Sequence, residues 1–213
     1  MSYFEIREKV DKFTNTTTIM MNRPFEGLPC TSLSLSSSKS SGKTDSILIR
    51  YYHWDTDGLF GRGYSGTEGK NMIIRINDNE NISLPFGRET CRVEKEFNKD
   101  RQEFYNKYHI NNSVEINKMI LEKICNATSI EFSFAGVEYT NTNPRYSAEF
   151  QVFINYCRIF YNGLYNEDKY QVDKDSLSGI QSPAERLERS IKNGHIFMIV
   201  GVVISMTLMF CCE

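Results

Sequence analysis

Between residues 1 and 165, apolar and polar residues mostly alternate, the period of a strand with one face on a core and the other in solvent. Ser129-Ile130-Glu131-Phe132-Ser133-Phe134-Ala135 is the cleanest example, with Ile130, Phe132 and Phe134 on one face. Asn71–Ile76 and Ile82–Phe86 flank the turn-rich Asn77-Asp78-Asn79-Glu80-Asn81, so they are expected to form a hairpin. Further strands are expected at Ser46–Trp54, Arg92–Phe97 and Glu103–Ile110, with fainter alternation near Phe4, over Thr17–Met21 and around Leu33.

Two segments change to helical spacing. Ser113 is placed to cap the first, whose apolar face holds Ile116, Ile120 and Ile124, with Cys125 beside it. The second, about Ala148–Leu164, sets Phe150, Phe153, Ile154, Cys157, Phe160, Tyr161 and Leu164 three and four apart. Strands first and helices last, without a repeating βαβ order, predict an α+β fold. The expectation for residues 1–165 is an antiparallel β-rich, sandwich-like domain with two amphipathic helices, and with Cys125 and Cys157 as core thiols.

The pattern changes again at residue 196. From Ile196 to Cys212 no residue is charged, and only Gly201, Ser205 and Thr207 dilute the apolar run. Seventeen helical residues extend about 25 Å, close to the thickness of a bilayer core. The run is apolar all round, unlike a core helix with one polar stripe, so a single C-terminal transmembrane helix is predicted. Arg186, Arg189 and Lys192 precede it and no Lys or Arg follows, which predicts a cytoplasmic N-terminal domain and the topology of a tail-anchored protein. Ser182, Pro183 and Glu185 form a helix-start signature, giving a juxtamembrane helix over 183–195 before the span at 196–212. The polar, aperiodic stretch 166–182 is expected to be a tether. Cys211 and Cys212 are expected to be apolar filler in preference to acylation sites.

Composition adds limits more than functions. The chain has 213 residues, 40% hydrophobic and 13% aromatic, more than a disordered chain carries. A net charge of −2 provides no global field for nucleic acid, so no nucleic-acid partner is expected. Glu5, Arg7, Glu8 and Lys9 stand where a secretory leader needs an apolar core, so export is not expected. In a reducing compartment Cys30, Cys91, Cys125 and Cys157 would be free thiols, and none makes a C-x-x-C pair. The Asn15 and Asn126 sequons would then go unused.

Three stretches invite a chemical reading. Gly61-Arg62-Gly63-Tyr64-Ser65-Gly66 fits the dinucleotide fingerprint, but the β-like Asn71–Ile76 follows where the phosphate-binding helix must begin. Ser41-Gly42-Lys43-Thr44 ends like a phosphate loop, yet Ser37 occupies the first glycine position. The serine-rich stretch around it, residues 32–43, reads as a mobile loop. His53, Asp55 and Asp57 would share one face of a strand, an arrangement suited to a divalent metal, and Asp55-Thr56-Asp57-Gly58 resembles part of a calcium loop. Against calcium, His53 takes the first ligand position and Tyr64 the twelfth. The plain alternative is a turn at Asp57-Gly58 closing a strand. No nucleophile elbow accompanies a histidine, so no catalytic or cofactor site is predicted.

These observations predict a membrane-anchored, non-catalytic binding or sensing module with the bilayer and a protein as partners. Of Tyr51, Tyr52, Trp54, Phe60 and Tyr64, most are expected in the core and two or three on a contact surface. One alternative is a metal- or calcium-dependent domain, possibly a hydrolase, built on His53, Asp55 and Asp57. Another is a membrane effector acting through its last helix, where Gly201 and Ser205 allow close helix approach.

Overall fold

The computed structural model describes residues 5–28, 30–40, 43–56, 66–99 and 102–172. The chain divides after Asp173, and the juxtamembrane and apolar segments predicted at 183–195 and 196–212 lie outside the described residues. So does residues 57–65, which contains most of the glycine-rich loop. Among the described residues no helix is long and apolar enough to cross a membrane.

The elements run β1 (Ile6–Asp11), β2 (Thr16–Met21), β3 (Phe25–Leu28), β4 (Thr31–Ser40), β5 (Lys43–Thr56), β6 (Asn71–Ile76), β7 (Glu80–Pro85), β8 (Thr90–Asn98), β9 (Glu103–Ile116), α1 (Lys118–Asn126), β10 (Ile130–Phe134), β11 (Val137–Tyr139) and α2 (Pro144–Tyr165). They form a seven-stranded sheet, β1-β2-β4-β5-β9-β8 with β3 against β4, and a four-stranded sheet, β11-β10-β6-β7. Every pairing is antiparallel. The architecture is thus α+β, β-rich and sandwich-like, as the alternation predicts.

The hairpin forms as expected. Asn77 and Asp78 both take positive φ, 51° and 59°, the backbone a tight hairpin turn needs and Asn and Asp tolerate. The Asn77 side chain also accepts hydrogen bonds from the backbone amides of Thr128 and Ser129, at 2.8 and 3.1 Å, tying the turn to the start of β10. β10 buries Ile130, Phe132 and Phe134 together. Glu131 is buried as well, and Arg75 at 3.0 Å compensates its charge.

Two expectations are corrected. Residues 32–40 are not a loop but most of β4, held by β5 on one edge and by β2 and β3 on the other. Leu33 and Leu35 go fully into the core while serines occupy the alternate positions. Serine is a weak strand former alone, but pairing on both edges decides the conformation. Likewise Ser113 caps no helix. β9 continues to Ile116 because Val114 and Ile116 pair with Ile49 and Ile47 and are buried there. The helix cap is Asn117, whose side chain accepts from the Ile120 amide at 2.9 Å, and α1 buries Leu121, Ile124 and Cys125.

α2 is the centre of the core. Residues Val152–Cys157 are all buried, together with Phe150, Phe160, Tyr161 and Leu164. Phe153 touches Phe25 of the large sheet and Phe132 of the small one, with ring centroids 5.2 and 5.3 Å away. Gly163 faces β1, where a Cβ would come within 2.0 Å of the Ile6 side chain, so the close approach explains a glycine inside a helix. The helix ends with Asn166 at φ 53° and the Glu167 amide bonded to the Asn162 carbonyl at 3.0 Å, a Schellman ending. Beyond it, the first part of the polar segment lies on the domain. Asn162 brackets Tyr170 with two hydrogen bonds, and Tyr170 packs edge-on against Tyr161. Residues 173–182 lie outside the described residues.

Candidate functional site

β5 runs through the large sheet, paired with β4 on one side and β9 on the other. Alternation sends Ile47, Ile49 and Tyr51 to the core and Leu48, Arg50, Tyr52 and Trp54 to the outer face. Antiparallel register then aligns outer residues into rows across the strands. Ser32, Tyr52, Asn111 and Thr90 make one row, and Ser34, Arg50 and Ser113 the next. On the other side lie Trp54, His109 and Arg92, followed by Thr56, Lys107 and Glu94.

A hydrogen-bonded chain crosses these rows. The Tyr52 hydroxyl is 2.6 Å from His109 Nδ1, and His109 Nε2 is 3.1 Å from Glu94 Oε2. An ionised Glu94 only accepts, so Nε2 carries the proton, and in the neutral ring Nδ1 accepts from the Tyr52 O–H. Arg92 holds the other oxygen of Glu94 at 2.7 Å. Beside them Lys107 sits 5.2 Å over the Trp54 ring and 3.3 Å from Glu96. The order carboxylate, histidine, hydroxyl matches that of activated nucleophiles. The electrostatics run against that role, because burial pushes the Tyr52 phenol above its ordinary value, where an activated phenol needs the reverse. The chain fixes the orientation of Tyr52 and His109 on a half-exposed surface.

Next to this chain an open groove of about 570 Å3 is lined by Ser32, Ser34, Arg50, Tyr52, Arg88, Thr90, Asn111 and Ser113, with Met21, Pro24 and Leu48 as apolar members of the lining. Arg50 Nε donates to Ser36 Oγ at 3.0 Å. Arg88 comes from the segment between β7 and β8, which is pinned on both sides of it. The Gly87 amide donates to the Ser113 carbonyl at 2.9 Å, and an added Cβ at Gly87 would stand 3.3 Å from that oxygen. Glu89 accepts from the Thr67 hydroxyl at 2.6 Å, and Thr67 in turn accepts from the buried Asn112 amide.

The residues predicted as metal ligands lie elsewhere. His53 and Asp55 project to the opposite side of β5, with Tyr51. His53 Nδ1 is 2.9 Å from Thr31 Oγ1, its ring stacks on Tyr51, and Asp55 accepts from the Thr56 amide at 2.7 Å. Asp57 lies outside the described residues, and among those described no three His, Cys, Asp or Glu side chains are grouped to hold a metal ion.

Burial lowers the pKa of His53, opposed by the nearby Asp55 carboxylate. The unfolded chain takes up this proton near the ordinary value of 6.5, whereas the fold resists it. Stability from this group is therefore complete above that pH and declines as pH falls toward the lowered folded value. Melting temperatures from about pH 7 down to about pH 5 should drop more steeply for the native chain than for His53→Gln. Parallel curves would show that His53 protonates freely in the fold.

No known protein family, curated protein or solved structure matches the chain. Its chemistry must be read from its own geometry. Sequence reasoning passed over Glu94, Arg50 and Arg88 and set His109 aside as a strand residue without acidic sequence neighbours; three strands and a connecting segment bring the four to one face. The available signal was the outward phase of Arg50, Tyr52 and Trp54 on β5. The register that places β8 and β9 residues beside them is set by tertiary pairing.

Proposed function

We propose that this protein is a membrane-anchored, non-catalytic recognition module that contacts its partner through the outer face of the large sheet. The observation that carries the reading is the placement of Tyr52 and Trp54, half-exposed on one outward face amid Arg, Lys, His and Glu, while Tyr51 is buried against Phe86 and Phe134. Aromatic residues set among polar groups on an open surface are characteristic of contact sites. Anchoring is supported by the uncharged run 196–212, and a cytoplasmic position by Arg186, Arg189 and Lys192 before it.

A photoreactive side chain at position 92, in the row of Trp54 and His109, should cross-link a discrete partner in native membranes. The same probe at Phe13, fully exposed on the β1–β2 turn, should give none. Trp54→Ala should weaken the contact by about 2 kcal/mol or more and leave the melting temperature unchanged. Equal labelling from both positions would remove the outer face from consideration.

A further inference from the structure

We propose that the groove containing Arg50 and Arg88 is a binding site for a phosphate monoester, with both guanidiniums on the phosphoryl oxygens and the row hydroxyls completing the shell. The inference rests on the outer face being the recognition surface and gives that surface a ligand class; it does not depend on the anchor.

Charge balance comes first. Two guanidiniums, which never lose their protons in a protein, line one cavity. Among the described residues no carboxylate lines it, and neither Arg50 nor Arg88 forms an ion pair. The nearby carboxylates are committed elsewhere: Glu94 to Arg92 and His109, Glu96 to Lys107 and Tyr105, Glu89 to Thr67. The chain as a whole is slightly acidic, so this concentration of positive charge is local. Like charges lining one cavity disfavour the empty site and favour an anion.

Donor geometry comes second. Arginine presents a planar fork matched to oxyanions, stronger than a point charge of the lysine kind. Ser32, Ser34, Thr90 and Ser113 add hydroxyls, and Asn111 an amide, all outward by register. A carboxylate offers two oxygens; a phosphate monoester offers three terminal oxygens and nearly two charges at neutral pH, a better match for this many donors. The support is rigid, since Arg50 lies on a strand paired on both edges and Arg88 is flanked by pinned neighbours. A volume of about 570 Å3 suits a small phosphorylated molecule or a lipid headgroup.

The test uses the full chain in nonionic detergent, titrated with inorganic phosphate, glycerol 3-phosphate and inositol 1,4,5-trisphosphate at constant ionic strength set by chloride. The expected result is a saturable rise in melting temperature and a calorimetric Kd for the phosphorylated compounds. Arg50→Gln and Arg88→Gln should each weaken it about tenfold, with Arg50→Lys falling between. The unliganded melting temperature, read in the same experiment, separates loss of the site from loss of the fold. Affinity for the trisphosphate well above glycerol 3-phosphate assigns the site to an inositol lipid headgroup; equal affinities assign it to a soluble monoester. No saturable effect from any of the three, or an effect that both glutamine variants keep in full, overturns the proposal. If position 92 still cross-links a partner in that case, the recognition face stands and only its ligand class falls.

Discussion

Deleting residues 183–213 is expected to transfer the protein from the membrane fraction to the soluble fraction while its domain stays folded. Along 196–212 the apolar residues Ile, Val, Leu and Phe recur without a charge, and each favours the bilayer centre by about 0.3–0.6 kcal/mol. Their sum is several kcal/mol, enough for near-complete partitioning. The deleted stretch should take no core residue with it, because α2 closes at its Schellman ending and Tyr170 seats the chain on α2. Fractionation after alkaline extraction, with a melting curve on the soluble product, reads both halves of the expectation. A truncated chain that still pellets with membranes would contradict the anchor, as would a full chain that stays monomeric in water without detergent.

Phe153→Ala should be the most damaging single substitution in the domain, costing about 3–5 kcal/mol. The ring is completely buried and bridges the layers, touching Phe25 of β3, Phe132 of β10 and Tyr156 of its own helix. Removing it leaves a cavity walled by elements that cannot close in without disturbing both sheets. Against a typical total of about 5–15 kcal/mol, that loss leaves a marginal fold. Met119→Ala on α1, whose side chain is largely exposed, should stay within about 0.5 kcal/mol. Urea unfolding of the two variants decides it, and a Phe153→Ala cost near that of Met119→Ala would mean α2 is not the centre of the core.

Thiol reactivity belongs with that core. Cys125 and Cys157 are buried at the contact of α1 and α2, and burial pushes the Cys125 thiol up to about 12 and Cys157 higher than its ordinary value. Both side chains serve packing, the role their helical spacing implies.

The sequence was readable where one interaction dominated locally. Asn71–Ile76, a short apolar-rich run followed by an Asn-Asp turn, forms the strand the pattern assigns. The apolar spacing of α2 reads directly as a buried helix, although the helix begins earlier than its apolar face, at Pro144. Reading failed where the neighbours decide. The serines of β4 carry little strand preference, and they are extended because β2 and β5 supply hydrogen bonds on both edges. Ser113 has the chemistry of a cap, but pairing of Val114 and Ile116 with β5 keeps the backbone extended until Asn117.

What the sequence determined by itself was the β-rich antiparallel class, the two helices and the core thiols. These follow from periodicity, a property of neighbours along the chain. Only the tertiary structure decided that Glu94 and His109 stand in one hydrogen-bonded chain with Tyr52, that Arg88 lines the same groove as Arg50, and that His53 and Asp55 turn to the other side. Strand register and sheet order link residues tens of positions apart through backbone hydrogen bonds that any sequence can make, so no local pattern encodes which side chains they bring together.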